Sequence, residues 1–280
     1  MTAMRRRGRG ARLVLACAGL VGPALVACGG SQDIAGQTFR PADEGRLTVA
    51  TALPAPGFWT GDDPAGVDGG FEHGIAAALA DRFDLALRIV DVPFDRLVAG
   101  DLGGADLALA QITRTDERAE HVAFSTPYYV DDAGVVLPAG EELTDLETAR
   151  ERSWAVERGS VQEQFVADTI RPDVDAVVFD DAVATVEAVA AGRVDAALVD
   201  LSTALVLTNG RDDVTTSARF ATHGEMAVAL PTGSDNVEVV DAALRGLEAD
   251  RTIGDLEAEY LAPVFAAAPD SLPVIRTPDD

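Results

Sequence analysis

The chain contains no lysine. All 22 basic residues are arginine, against 47 acidic residues, for a formal net charge of −25 at pH 7. So strong an acidic surplus excludes nucleic acid and anionic membrane surfaces as partners recognised through charge. Cysteine is almost as scarce. The two copies, Cys17 and Cys28, both lie close to the start. Downstream of them there is no thiol for a disulfide, a cysteine-ligated metal or a cysteine nucleophile. The three histidines, His73, His121 and His223, lack metal-ligand spacing, and no H-x-x-x-H occurs. Neither G-x-S-x-G nor a P-loop is present. No metal or cofactor is therefore expected. Beyond the first residues, no apolar run is long enough to span a bilayer.

What is present at the start is a processing signal. Arg5, Arg6, Arg7, Arg9 and Arg12 form a cationic segment, followed by an apolar one from Leu13 to Val26. Gly19, Gly22 and Pro23 interrupt that apolar segment, which is too short and too broken to be a stable membrane span. It ends in Leu25-Val26-Ala27-Cys28-Gly29, which resembles a lipobox. The resemblance implies a lipoprotein signal peptide over 1–27 and lipidation of Cys28. The protein would then be exported and lipid-anchored to the outer face of the cytoplasmic membrane. Cleavage there removes five arginines and leaves 17 basic residues against 47 acidic ones.

The polar stretch 28–45 reads as a tether, and 266–280, rich in proline and aspartate, as a flexible tail. Between them, short apolar runs alternate with helical periodicity. Arg46–Ala52, Ala86–Val92, Ala105–Ala110, Gly134–Leu137, Trp154–Glu157, Asp175–Phe179, Val194–Val199 and Met226–Leu230 read as strands. Helical stretches separate most of them, including His73–Phe83, Ser160–Ile170, Ala182–Ala191, Leu201–Thr208 and Ser234–Ala249. This rhythm indicates an α/β fold with mostly parallel sheets and a ligand at the strand C-terminal ends.

Five segments, in order, carry a family resemblance. They are Gly70-Phe71-Glu72-His73-Gly74-Ile75-Ala76, Gln111-Ile112-Thr113-Arg114-Thr115-Asp116-Glu117-Arg118 and Phe124-Ser125-Thr126-Pro127-Tyr128-Tyr129. Further on come Val156-Glu157-Arg158-Gly159-Ser160-Val161-Gln162-Glu163 and Gly192-Arg193-Val194-Asp195-Ala196-Ala197-Leu198-Val199-Asp200. Together they resemble the family 3 bacterial extracellular solute-binding proteins, which serve ABC importers of polar amino acids. The resemblance spans Leu47 to Leu261. It implies the two-lobed periplasmic-binding-protein type II fold, with a hinge of two crossing strands. Lobe one would comprise 46–130 and 226–265, and lobe two 131–225. It also implies a monomer that takes an amino acid or similar small polar solute and docks on importer permease subunits.

The same resemblance assigns a site. An α-amino acid presents a carboxylate and an ammonium. Arg118 matches the position that grips the carboxylate, where a guanidinium offers two parallel donors. Alone, it would read as an arginine on a short solvated helix. Thr113 matches a position contacting the same carboxylate, and Ser160 with Val161 opens a helix whose N–H groups face an anion. Ser160 also suits a plain N-cap. Asp200 matches the acid that holds the ammonium, although a residue ending a strand before a helix also suits a cap. Phe94 matches an aromatic against the ligand side chain, and equally a core residue. Gln111 stands where small residues are usual and is a candidate contact. A family acid used for basic side chains is replaced here by Ala52. Phe58 or Trp59 is expected to stack on the ligand from a shifted loop, and Glu72 to be an acid facing the pocket or a helix cap.

Two other readings use the same scaffold. Some relatives are dehydratases of cyclohexadienyl or arogenate type, which need a cleft general acid of raised pKa. Glu157 and Glu72 are the candidates for that role. The fold could also report ligand to a separate signalling partner.

Overall fold

In a computed structural model, residues 38–265 and 269–278 are described. The expected signal segment, the lipobox-like stretch and Cys28 lie outside them. Eight strands form one continuous ladder in the order β2-β1-β3-β8-β4-β7-β5-β6. On one side stand β1 (Arg46–Thr51), β2 (Ala86–Asp91) and β3 (Leu107–Ala108), paired in parallel. On the other stand β5 (Trp154–Glu157), β6 (Val177–Phe179) and β7 (Ala196–Asp200), also parallel. The two halves are joined by β4 (Val122–Pro138) and β8 (Val214–Pro231), long antiparallel strands that run through both. Their register shifts between Asp131 and Ala133, midway between the halves. Such irregularities bend a ladder locally.

Each half has a core on both faces of its sheet, and the period-2 alternation of the strands decides which residue faces which way. Along β1, Leu47 and Val49 face one cluster with Leu107, Leu109, Val228 and Leu230. Ala50 faces the other, with Ala108, Ile112 and Ala229. The first cluster is covered by α1 (Phe71–Arg82) through Ile75 and Leu79, and by α7 (Val237–Ala249) through Val240 and Leu244. The second is covered by α2 (Phe94–Val98) through Phe94 and Leu97. In the other half, Trp154, Val156, Leu198 and Phe220 share one core. Ala155, Ala197 and Val199 share the opposite one. The elements α3 (Leu146–Arg150), α4 (Val161–Phe165), α5 (Ala182–Ala190) and α6 (Leu201–Thr208) flank these strands. α8 (Thr252–Tyr260) lies against α1 and α7. The fold class is the expected two-lobed α/β type.

Two segments expected to be loose are packed. Within the stretch read as a tether, Phe39 is buried and stacks on Phe83 with ring centroids 4.5 Å apart. Arg40 exchanges two 2.9 Å backbone bonds with the Asn236 side chain. Within the stretch read as a tail, Val274 bridges Arg219 of β8, and Ile275 is 1 % exposed in the core shared by Trp154 and Phe220. Apolar burial of a single large side chain outweighs the composition that made these stretches look free.

Candidate functional site

The loop before α1 shows how the sequence builds the floor of the site. Gly70 has φ 115°, and a Cβ there would come within 2.2 Å of the Phe58 carbonyl oxygen. Only glycine lets the chain approach so closely. The first N–H groups of α1 donate to the Gly57 and Phe58 carbonyls. The helix start is thus satisfied by backbone, and Glu72 does not cap it. Instead the Glu72 carboxyl accepts from Trp59 Nε1 at 2.8 Å, from the Gln111 backbone N–H at 2.7 Å and from the Tyr128 hydroxyl. Burial raises its pKa to about 7, and these three donors pull back against that rise. Trp59 and Phe58 are fully buried in the core of this half. The expected stacking of Trp59 or Phe58 on a ligand, and the expected pocket-facing role of Glu72, are corrected accordingly. Their loop folds inward under Gly70, and Trp59 and Glu72 satisfy one another out of contact with the cleft.

The cleft lies between the halves. Ala52, Phe94, Gln111, Thr113 and Arg118 line it from the first half. Glu157, Ser160, Val161, Gln162, Asp181, Asp200 and Thr203 line it from the second. Arg118 sits on a single 3₁₀ turn, Arg118–Glu120, and is 7 % exposed. Its Nη1 donates to the Thr113 carbonyl at 2.8 Å, and its Nη2 reaches across to the Gly159 carbonyl at 2.9 Å. The guanidinium carbon lies 5.4 Å from the Phe94 ring centroid. Two of the five guanidinium N–H donors are thus engaged with backbone carbonyls. Desolvation lowers its pKa to about 10, while the charges of Asp200, Glu117 and Glu157 oppose the fall, so it stays cationic. Phe94 is a core residue that also reaches the cleft: it belongs to the core behind β1 and lines the cleft beneath Arg118.

Asp200 ends β7, yet its side chain caps nothing. Oδ1 accepts from Gln162 Nε2 at 2.6 Å. Burial is the largest influence on its carboxyl and raises its pKa, against the pull of Gln162 and Arg118. Asp131, on β4, rises for the same reason and because Asp200 is close, although Ser202 donates to it through both N–H and hydroxyl. Arg118 and Asp200 thus flank one cleft from opposite halves, each within the other's field, without a direct ion pair. Ser160 is an N-cap. Its Oγ accepts from Glu163 N–H at 3.0 Å, and the Glu163 carboxylate accepts from Gly159 N–H at 2.7 Å. The return bond falls one residue before the cap, so the pair is a displaced variant of a capping box. The Ser160 hydroxyl is occupied by its own helix, while Ser160 and Val161 still line the cleft.

Gln111 closes the set. It is held at φ 54°, and its side-chain oxygen accepts from Thr203 Oγ1 at 2.6 Å, a second bond between the halves. Sequence reasoning did not single out Gln162 or Thr203. Thr203 lies three residues after Asp200, one helical turn along α6, and that spacing was the available signal. Among the described residues no helix is long and apolar enough to cross a membrane.

A cleft between two α/β halves, crossed by two strands and lined by opposed charges, defines a class: hinged binding proteins that close on a small solute. The model of the bacterial extracellular solute-binding proteins, family 3, matches residues 47–263, and the chain belongs to that family. It is 28 % identical to the L-cystine-binding protein TcyJ of Escherichia coli K12, over 78 % of this chain and 83 % of that one. It is also 28 % identical to an L-arginine-binding protein of Pseudomonas aeruginosa, over 58 % of this chain and 63 % of that one. Among solved structures, an ancestral arginine-binding protein bound to glutamine superposes with a TM-score of 0.71 at 25 % identity. That match covers 78 % of this chain and 98 % of the other.

Proposed function

We propose that this protein captures an α-amino acid, or a similar small zwitterion, outside the cytoplasm and delivers it to the permease subunits of an ABC importer. The observation that carries this reading is the opposition of Arg118 and Asp200 across one cleft. The ligand carboxylate would meet the Arg118 guanidinium, Thr113 and the backbone at Val161. The ammonium would meet Asp200, which Gln162 holds in place. Because the two grips belong to different lobes, ligand favours the closed arrangement by its differential affinity for it. The solutes in the names of the relatives, cystine and arginine, are zwitterions of this kind. Cys28 would carry the lipid that tethers the protein to the membrane. No catalytic role is proposed for the cleft, and an assay for prephenate or arogenate turnover tests that.

Calorimetry tests the binding reading. Arg118→Ala removes the carboxylate partner and leaves the Thr113 and Gly159 carbonyls without their donor. Asp200→Asn removes the ammonium partner while keeping shape. Breaking a buried charge pair from one side costs about 3–5 kcal/mol. Each variant is expected to lose at least about a hundredfold in affinity. An Arg118→Ala protein that still binds its amino acid at full strength would reject the assignment.

A further inference from the structure

Glu157 is the one acid of the cleft without a hydrogen-bond partner. It is the last residue of β5 and lines the cleft. Its acidic neighbours are engaged. Asp200 accepts from Gln162, Asp181 accepts from Ala184 N–H at 2.7 Å, and Asp180 pairs with Arg158 at 3.4 Å. Glu157 has no donor of this kind. Only burial and the charges of Asp200, Asp181 and Arg118 act on its carboxyl. Most of its surface is covered, and it lines the cleft.

The balance of charge identifies what is missing. The cleft lining holds one cation, Arg118, and four acids; with Asp180 paired to Arg158 and Asp181 capping α5, Asp200 and Glu157 are left facing that one cation. A bound α-amino acid brings one charge of each sign, which Arg118 and Asp200 match on the preceding reading. Glu157 is then left facing the ligand side chain with no partner. A poorly solvated carboxylate beside a bound ligand is disfavoured unless a positive group or a strong donor meets it. We propose that Glu157 is the specificity determinant for the ligand side chain, and that it selects α-amino acids carrying a second cationic group. Among the other lining residues, Ala52 to Pro56 carry no charge and so offer no alternative. The acid for a basic side chain therefore comes from lobe two. An anionic side chain would meet Glu157 and Asp200 together and be excluded.

This inference rests on the amino-acid reading, and the test separates the two. L-arginine and L-citrulline have nearly the same shape and differ by one charge. Isothermal titration is expected to show the wild-type protein binding L-arginine at least about tenfold more tightly than L-citrulline, a difference of about 1.4 kcal/mol. Glu157→Gln, nearly isosteric, is expected to bring the two affinities within about threefold of each other, mainly by weakening L-arginine. Glu157→Asp should retain the preference, and cooperative melting of both variants without ligand confirms that they fold. Equal binding of the two ligands by wild type, or a preference that survives in Glu157→Gln, overturns the role of Glu157 while leaving amino-acid capture intact. The same holds if wild type binds only neutral amino acids in a thermal-shift screen that includes lysine, ornithine, histidine and cystine. A wild-type protein that binds no α-amino acid overturns both.

Discussion

Glu72 accepts the backbone N–H of Gln111 at 2.7 Å and so pins a non-glycine residue in the left-handed region, at φ 54°. Backbone in that region costs on the order of 1–3 kcal/mol and persists only where its surroundings enforce it. Gln111 then carries its side chain to Thr203 on the opposite lobe. An acid that never touches the cleft thereby shapes the cleft wall.

Glu72→Gln tests that chain of contacts. An amide has one acceptor oxygen and an NH₂ group, so it cannot receive Trp59, Tyr128 and Gln111 together. A buried donor left unmatched costs about 1–3 kcal/mol. Melting is expected to fall by about 2–4 °C for each of those kilocalories. Ligand affinity should fall with it, because Gln111 loses its anchor. Unchanged melting by calorimetry would show that Glu72 holds nothing in place.

The buried acids also set a pH dependence. The folded protein raises Glu72 from 4.5 to about 7 and Glu157 from 4.5 to about 8, in both cases chiefly through burial. Between pH 4.5 and those values the folded state binds more protons than the unfolded one, so stability falls as pH rises. It levels off above about pH 8. Exposed carboxylates such as Asp213, held down to about pKa 2 by Arg211, act only at the acid extreme. The melting temperature of the ligand-free protein is expected to be higher at pH 5 than at pH 8. Glu72→Gln should flatten the slope, and a rising curve over that window would contradict the assignment.

Thr203→Val removes the hydroxyl that donates to Gln111 and keeps the shape of the side chain. One such bond is worth about 0.5–1.5 kcal/mol net. Together with Arg118 to Gly159, it is one of two side-chain bonds between the cleft walls among the described residues. The ligand-free variant is expected to shift toward an open arrangement, seen as a larger radius of gyration by X-ray scattering. Ligand affinity should weaken by about two- to tenfold. An unchanged scattering profile would remove Thr203 from the closure.

Ile275→Ala probes the far end of the chain. Truncating a fully buried isoleucine costs about 2–5 kcal/mol. Melting by circular dichroism is expected to fall accordingly, and a loss below about 0.5 kcal/mol would show that the segment is not part of the core.

Much of this architecture was legible in the residues. The alternation at Leu47–Thr51 and the helical spacing at Ile75, Leu79 and Phe83 gave β1 and α1 to within a few residues. The crossing strands were underestimated. Gly134–Leu137 and Met226–Leu230 read as strands, but β4 and β8 extend far beyond them. Pro127 and the polar residues of the crossing hide that length, because a linking strand is not alternately buried. At the cleft, Arg118, Thr113 and Asp200 could be named because they stand in recognisable segments. Trp59 and Glu72 could not be told apart from ligand contacts, since polarity and aromaticity do not say which side of a loop faces the solute. Only the close approach at Gly70 turns that loop inward. The role of Glu157 depends on which neighbours leave it unpartnered, and that is a property of three dimensions alone.

The two ends of the described chain are fastened to different halves of the molecule. Phe39 and Arg40 are fixed to lobe one through Phe83 and Asn236. Ile275 is fixed to lobe two through Arg219. The separation between those ends is therefore a gauge of the hinge. A pair of fluorophores placed at residues 41 and 276 would turn solute capture into a change in energy transfer.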